Sequence, residues 1–488
     1  MKKVLIIIFI MFFSQNIMLA EEELIWDFHN DEYIKELIHG QTSITQVERQ
    51  KQIDNELSKN LGIDLVYTNL EECLKIAVEN NYSLKISNAK KKESYWTNKN
   101  AKSQILPDLN YTYDIKHLDG TFLVGGIVPD DVDEIPIQSF FTLDWYTYKQ
   151  GKLIFLNRQT KQQYRAASAN LEYSRDEVIL KTTLAYYDLL KLKFTFDVLR
   201  TNLIDRNEQY KLMLARYKAG VGEKFDVVRA EAEVAKAKQL YIEGFNRLRL
   251  AQAKLSNIIG IEVLNAVYPS ESSAETRELL DPTYDIEKLY QTALLTRDDV
   301  KSLKATIEAT KAERGSVCME FAPNIRTYYM VSQQGTARLG LYPSTTLGFV
   351  LTQPLGQNLG VGTVTKVKSF NAKIEAENYR LTNLTRGIKE SIIGSYYDSK
   401  TALERIEATK KEVKASDDSL RIAIVRMQVG QATFLDVIQA QSLKVRARET
   451  LVNTIIEYNK AQAQLLFDSG IISVGNVLKN YQSIPPPP

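Results

Sequence analysis

The chain has 488 residues, 44% of them hydrophobic, and its 62 Lys and Arg stand against 60 Asp and Glu. That balance leaves no basic stripe for nucleic acid. The three histidines, His29, His39 and His117, lack metal-ligand spacing, and there is no phosphate loop, nucleophile elbow or Cys/His pairing, so neither an enzyme nor a cofactor or metal site is expected.

In chain order, Lys2-Lys3, an apolar run over 4–13 and the small residue Ala20 read as a secretory signal peptide, residues 1–20. Beyond it no stretch approaches the roughly 20 apolar residues of a membrane helix. Residues 21–69 form an N-terminal extension with short amphipathic segments around Trp26, Tyr33 and Leu37. Asn69 is placed to cap a helix from Leu70, which is interrupted at Asn80-Asn81 and stopped before Pro107. Cys73 and Cys318 fall too far apart along the helices to be joined and are expected to be two lone buried thiols.

The period then changes from helical to alternating. In 108–117, Leu109, Tyr111 and Tyr113 alternate with Asn110, Thr112 and Asp114. In 137–148 one parity holds Phe141, Leu143 and Trp145; in 324–332 it holds Ile325 and Tyr329, opposite to Arg326; in 345–353 it holds Phe349 and Leu351. These are four strands of about ten residues with one aromatic-rich face, the pattern of an outer-membrane barrel. On that reading the apolar set faces outer-membrane lipid, and Asn110, Thr112, Asp114 and Arg326 face a lumen. A small soluble sandwich burying the same face is the alternative. Four strands cannot close a barrel, so an oligomer is implied. The intervening stretches 118–136, with Asp130, Asp131, Asp133 and Glu134, and 333–343 read as solvated loops.

Two proline-free stretches, 151–218 and 361–428, predict helices of about 65 residues, near 100 Å long. Each is followed by a glycine turn and a second helix, giving hairpins over 151–258 and 361–468. Arg216, Gly220, Asp226, Val227 and Ala230 align without a gap on Arg426, Gly430, Asp436, Val437 and Ala440. Gly220 and Gly430 suit a left-handed helix end, and Thr433 with Asp436 resembles a capping box. Tyr186-Tyr187-Asp188 matches Tyr396-Tyr397-Asp398, and Gly260-Ile261 matches Gly470-Ile471. The chain is therefore an internal tandem repeat, 70–261 and 286–471, with a connector 262–285 between and an extended tail 472–488. The fold class is α+β. A coiled-coil rod with solvated charged faces and a wall of helices wet on both sides fit the narrow apolar seams equally well.

The signal peptide, the two halves, the two strands per half and the paired turns resemble the TolC-type outer-membrane efflux channels, the outer membrane factor family. The most specific stretches are Val429–Gln441 and Leu70–Asn81, and the resemblance covers about residues 70–471. It implies a homotrimer sharing a 12-stranded membrane barrel above an α-helical barrel that crosses the periplasm, with no cofactor. It further implies a passive export duct that meets a periplasmic adaptor and an inner-membrane transporter as a tripartite pump. Under it, Gly220, Val221, Gly222, Val429, Gly430, Gln431, Ala432 and Thr433 form the adaptor-docking tip. Asp226 and Asp436 form a periplasmic gate, with Arg229 and Gln439 standing where the family often has a second carboxylate. The plainer readings are a bare helix terminator for the glycines and a helix-start charge for the aspartates. The competing function is an exported coiled-coil scaffold or adhesion protein of the envelope without a pore, which would not fractionate with the outer membrane.

Overall fold

A computed structural model of the protein describes residues 65–124, 128–149, 151–262, 266–271, 273–280, 285–354 and 360–478. The expected signal peptide, nearly all of the extension and residues 479–488 of the tail lie outside the described residues. The chain divides at Leu65/Val66 into two units, and the elements below belong to the second apart from Leu65 itself.

The first half comprises β1 (Leu65–Thr68), α1 (Leu70–Asn80), α2 (Tyr82–Ser103), β2 (Asp108–Ile115), β3 (Leu118–Val124), β4 (Val128–Glu134), β5 (Pro136–Lys149), α3 (Lys152–Lys218) and α4 (Lys224–Ile259). After β6 (Ala266–Pro269), which pairs with β1, the second half follows. It holds α5 (Ile286–Thr296), α6 (Asp298–Cys318), β7 (Asn324–Thr336), β8 (Gly340–Thr352), α7 (Val361–Gln428), α8 (Phe434–Asp468) and the short α9 (Val474–Leu478). The long helices α3 and α7 run for 67 and 68 residues, about 100 Å each.

One lateral order runs through the whole wall. The antiparallel sheet is ordered β2-β5-β7-β8. Each strand is the chain neighbour of the helix at its place: α2 precedes β2, β5 precedes α3, α6 precedes β7 and β8 precedes α7. The helices below keep that order, α2 against α3, α3 against α6, α6 against α7. In the lower half α4 and α8 replace α2 and α6, giving α4-α3-α8-α7. So α3 is flanked on both sides along its length, and α7 stands at one edge.

The duplication also fixes the joints at mid-height. Asn81 and Arg297 cap α2 and α6 with nearly the same backbone, φ/ψ −59/127° and −61/125°. Asn81 Nδ2 donates to the Ile258 carbonyl at 2.7 Å, and an Arg297 guanidinium nitrogen to the Asp468 carbonyl at 3.1 Å. The helices that end there do so at Gly260 and Gly470, φ +77° and +68°. A Cβ on Gly260 would lie 2.8 Å from the Asn80 carbonyl oxygen, and one on Gly470 2.6–2.7 Å from Thr296 and Arg297. Glycine is needed at both for its positive φ and for this close approach. The connector is strapped across the same level by buried polar side chains. Lys193 Nζ donates to the carbonyls of Pro269 (2.9 Å) and Glu271 (2.8 Å), Asn459 brackets Glu275 and Arg277, and Gln462 accepts from the Leu280 amide. Such pairing is what lets polar groups sit in a packed interior.

Several expectations need correction. The presumed loop 118–136 contains the hairpin β3–β4, in register from Leu118↔Glu134 to Val124↔Val128. Aromatic and β-branched residues at Phe122, Val124, Val128 and Val132 favour strand there, so Asp130, Asp131, Asp133 and Glu134 belong to a strand. The second-half strands run further than expected, to Thr336 and from Gly340, which leaves a three-residue turn in place of the loop 333–343; β2 stops at Ile115. The tail is not extended throughout: Ser473 Oγ accepts from the Asn476 amide at 3.1 Å, α9 follows, and Val477 is fully buried. Cys73 is buried, and desolvation pushes its thiol up to about 11, but Cys318, the last residue of α6, is exposed. Both are free thiols.

Candidate channel wall, gate and docking tips

Pairing across the four strands places the apolar set on a single face. Leu109 opposes Leu143, which opposes Tyr329, which opposes Leu347; Tyr111 opposes Phe141, and Trp145 lines up with Thr327 and Phe349. The register shift between Trp145 and Tyr148 keeps the face intact, because Tyr148 then opposes Ile325 and Leu351. Most of this face is exposed in the single chain, with Tyr111 at 67%, Leu347 at 75% and Phe349 at 66%. An apolar surface of that size needs a cover.

The opposite face carries most of the polar residues, with Phe140, Tyr328, Met330 and Val350 interspersed. Asn110 opposes Thr142, Asp114 opposes Gln138, and the hydroxyls of Ser332 and Ser344 meet at 2.7 Å. On that face Arg326 Nε donates to Asp144 Oδ1 at 2.8 Å. Asp144 was not singled out from sequence, although it lies on the polar parity of its strand and the register puts it beside Arg326. At the lower rim the Trp145 indole donates to the Ile105 carbonyl at 3.0 Å, joining the sheet to the end of α2.

Beneath the sheet, the four upper helices enclose a groove lined almost wholly by polar side chains, among them Lys90, Thr97, Gln163, Asn170, Thr310 and Glu377. The order of the wall leaves β2 and β8 as edge strands, and it leaves α2 with α4 on one side and α7 on the other as edge helices.

The two turns at the lower end share one construction. The Val221 amide bonds the Arg216 carbonyl and the Gln431 amide the Arg426 carbonyl, at 3.0 and 2.8 Å, around Gly220 (φ +73°) and Gly430 (φ +77°). This is the Schellman closure, which requires a left-handed residue. Both glycines are open to solvent, with nothing within 4 Å of an added Cβ. Val221 and Val429 are 69% and 64% exposed. Just above, Met213, Ala230, Leu420, Met427, Phe434 and Val437 bind the two hairpins into one apolar cluster.

The turns differ in their caps. Thr433 and Asp436 make the full capping box, the carboxylate accepting from both the Thr433 amide and hydroxyl at 2.8 Å. Those bonds hold the Asp436 carboxyl below its usual range, with the charge of Arg426 adding to the effect. In the first hairpin Glu223 occupies the cap without a side-chain bond. Asp436 and Gln439 line one shallow groove with Arg426. Asp226 and Arg229 lie on α4, Arg229 stacked 5.7 Å over the Phe225 ring. Asp436 and Gln439 lie on α8, and α3 stands between α4 and α8 in the row, so their groove takes no residue of α4 and one chain does not assemble the four expected gate residues.

With the geometry in place, similarity to known proteins is extensive. The outer membrane efflux protein pattern matches residues 74–261 and 289–470, once per repeat. Outer membrane efflux protein BepC of Brucella suis is 22% identical over 349 residues, 69% of this chain and 74% of that protein. Alkaline protease secretion protein AprF of Pseudomonas aeruginosa is 20% identical over 305 residues, 61% of this chain and 62% of that one. Among solved structures, the CmeC outer membrane channel of Campylobacter jejuni superposes with a TM-score of 0.75 at 15% identity, over 82% of this chain and 85% of that one. By pattern and by fold, this chain belongs to the outer membrane efflux protein family and resides in the outer membrane, reaching into the periplasm.

Proposed function

We propose that three copies of this chain close into one duct that passively conducts substrates from an adaptor and an inner-membrane transporter across the periplasm and the outer membrane. The observation that carries this reading is the unbroken lateral order. Sheet and helices end on the same two sides with unpaired edges, so a copy added at the β8–α7 edge would meet β2, α2 and α4 of its neighbour all along the wall. Three four-stranded sheets would make a 12-stranded barrel with its apolar face to lipid and its polar face to the lumen, and closure alone removes the open edges. A passive conduit also fits relatives named for efflux and for alkaline protease secretion, the cargo then being chosen by the transporter.

In the closed ring α4 of one copy would stand beside α7 of the next. Arg229 and Asp226 would then stand against the α7 wall of the groove that holds Asp436 and Gln439, and their charges would join Arg426 and Asp436 in a ring of mixed charge at the gate. The open glycine turns with Val221, Gly222, Gln431 and Ala432 would be the surface on which an adaptor hairpin seats.

The purified full chain should run as a heat-sensitive trimer and form conducting pores in planar bilayers; a non-conducting monomer would overturn the reading. Asp436→Asn should lower cation selectivity of single channels with little loss of stability. Unchanged selectivity with a lowered melting temperature would make Asp436 a cap and nothing more. Tyr329→Arg, on the apolar face, should cost about 2–4 kcal/mol of membrane stability, while Met330→Arg should be tolerated.

A further inference from the structure

The basic residues of this nearly neutral chain are not spread evenly. The helix α2 carries six lysines and one glutamate, and the first twenty residues of α3 carry Lys152, Arg158, Lys161 and Arg165 with no acid before Glu172. The polar groove takes Ser87, Lys90, Ser94 and Thr97 from α2, and Gln159, Gln163 and Asn170 from α3. At 100° per residue, the faces turned away from the groove carry Lys92 and Lys99, flanked by Lys102, on α2, and Arg158, Lys161 and Arg165 on α3. None of these six forms an ion pair among the described residues; Lys99 lies 5.5 Å over the Tyr95 ring, Arg158 5.4 Å over Phe155, and Arg165 bonds the neutral Gln162. On neighbouring stretches of the wall some cations are matched, Lys311 by Glu308 and Lys181 by Glu177, so what sets this patch apart is the clustering of its cations without acids.

Height decides what this patch meets. At about 1.5 Å per residue, Lys99, Lys102 and Arg158 lie within roughly 10 Å of the ends of α2 and α3 that join the sheet. That is the depth of a headgroup layer, which adds about 5–8 Å beyond the hydrocarbon on each side. Immediately above them Ile105 and Leu106 are exposed beside Trp145, and Ile154 is exposed on α3. Apolar side chains at the sheet rim, aromatics at the boundary and unpaired cations just below make the arrangement that seats an acyl chain and its phosphate.

We infer that the outer face of α2 and α3 under the sheet, with Lys99, Lys102 and Arg158 at its centre, binds the headgroups of anionic phospholipids in the periplasmic leaflet. The patch anchors the wall at a fixed height and fixes the joint at which strand turns into helix. The inference rests on the reading of the sheet as the membrane-embedded part.

The full chain, reconstituted in nanodiscs of phosphatidylethanolamine with a minority of phosphatidylglycerol, tests it through the lipid that remains bound after extraction. The wild type should enrich phosphatidylglycerol over the bulk by roughly five-fold for each cation engaged at low salt. The enrichment should vanish in about 0.5 M salt, where the screening length falls to roughly 4 Å. K99Q/K102Q/R158Q should retain lipid at the bulk ratio yet conduct as the wild type does, and K236Q/K238Q, from the exposed face of α4, should enrich as the wild type does. No enrichment in the wild type, or equal loss in both variants, overturns the inference. So does cosedimentation with purified cell-wall sacculi that depends on the same three cations while lipid retention does not. A wild type that neither inserts nor conducts overturns the membrane reading as well, and the missing conductance identifies that case.

Discussion

The helices α3 and α7 descend from one duplicated segment, yet they live in different surroundings. Tyr186 and Tyr187 on α3 are 1% and 2% exposed, while Tyr397, which matches Tyr187, is 55% exposed. Asp188 is paired with Lys460 of α8. Through its middle α3 buries Val178, Ile179, Leu180, Thr183, Ala185, Tyr186 and Tyr187, positions that cover more than half of the helix circumference. In contrast, α7 buries Ile388, Ile392, Ser395, Ser399, Ala402 and Ile406, a single stripe at spacings of three and four. A helix buried over most of its girth and a one-sided one have grown from the same code because one is flanked on both sides and the other ends the row. The exposed half of α7 is thus surface that the single chain leaves uncovered.

That contrast is open to direct test. The largest effect is expected from truncating matched tyrosines. Tyr187→Ala should destabilise the folded chain by about 3–5 kcal/mol through the cavity left in the core. Tyr397→Ala should barely shift denaturation of the single chain and should instead weaken oligomer formation on native gels. Equal destabilisation by the two would erase the distinction drawn between the helices.

Next comes a swap between repeats. Lys193 corresponds to Leu403 in the second half, and K193L would leave the carbonyls of Pro269 and Glu271 without their donor. A loss of about 1–3 kcal/mol in denaturant melts is expected, together with faster proteolysis of the connector. Intact protection would show that other bonds hold the strap.

The caps offer a smaller exchange. Thr433→Ala removes the capping box and should cost about 0.5–2 kcal/mol. Glu223→Thr supplies the missing half of a box to Asp226 and should raise the melting temperature by a comparable free energy; no gain would mean that the first turn is strained in some other way.

The smallest effect is a slope with pH. Asp176 on α3, where α7 has Arg386, is pushed up to about 7, first by burial and then by the charges of Asp298 and Glu172, against Arg175 and Lys301. A carboxyl raised in the folded state takes up a proton on folding, so stability should fall as pH rises from about 4 to 7 and level off above. Asp176→Asn should flatten that slope and melt higher than the wild type at pH 8. A parallel pH profile would mean that Asp176 titrates normally.

Much of the architecture was legible before any coordinates. Period two against period 3.6 separated strands from helices, and the gapless match of Gly220 with Gly430 showed the fold to be built twice. The strap was not legible, because Lys193, Asn459 and Gln462 meet the connector across 76 to 184 residues of chain and no local pattern announces such bonds. The β3–β4 hairpin was hidden by its carboxylates, which local reading assigned to a loop although the flanking β-branched residues favour strand. Asp226 and Asp436 sit in the first turns of α4 and α8, as local sequence suggests, but local sequence carries nothing about which helices become neighbours in the row.

Short-range physics is written residue by residue: helix ends at glycine, caps at Asn69 and Thr433, and alternating faces all depend on neighbours within a few positions. The tandem repeat, the strand parity and the two turns could therefore be read from order alone. Lateral order, burial and charge clustering depend on which distant segments become neighbours. Only the folded chain placed α3 inside and α7 at the edge, set Asp144 against Arg326, and gathered on the faces turned away from the groove the lysines and arginines that a net charge of +2 conceals. Tyr187 is core in one repeat while its match Tyr397 is surface in the other, because burial is a property of the neighbours rather than of the residue.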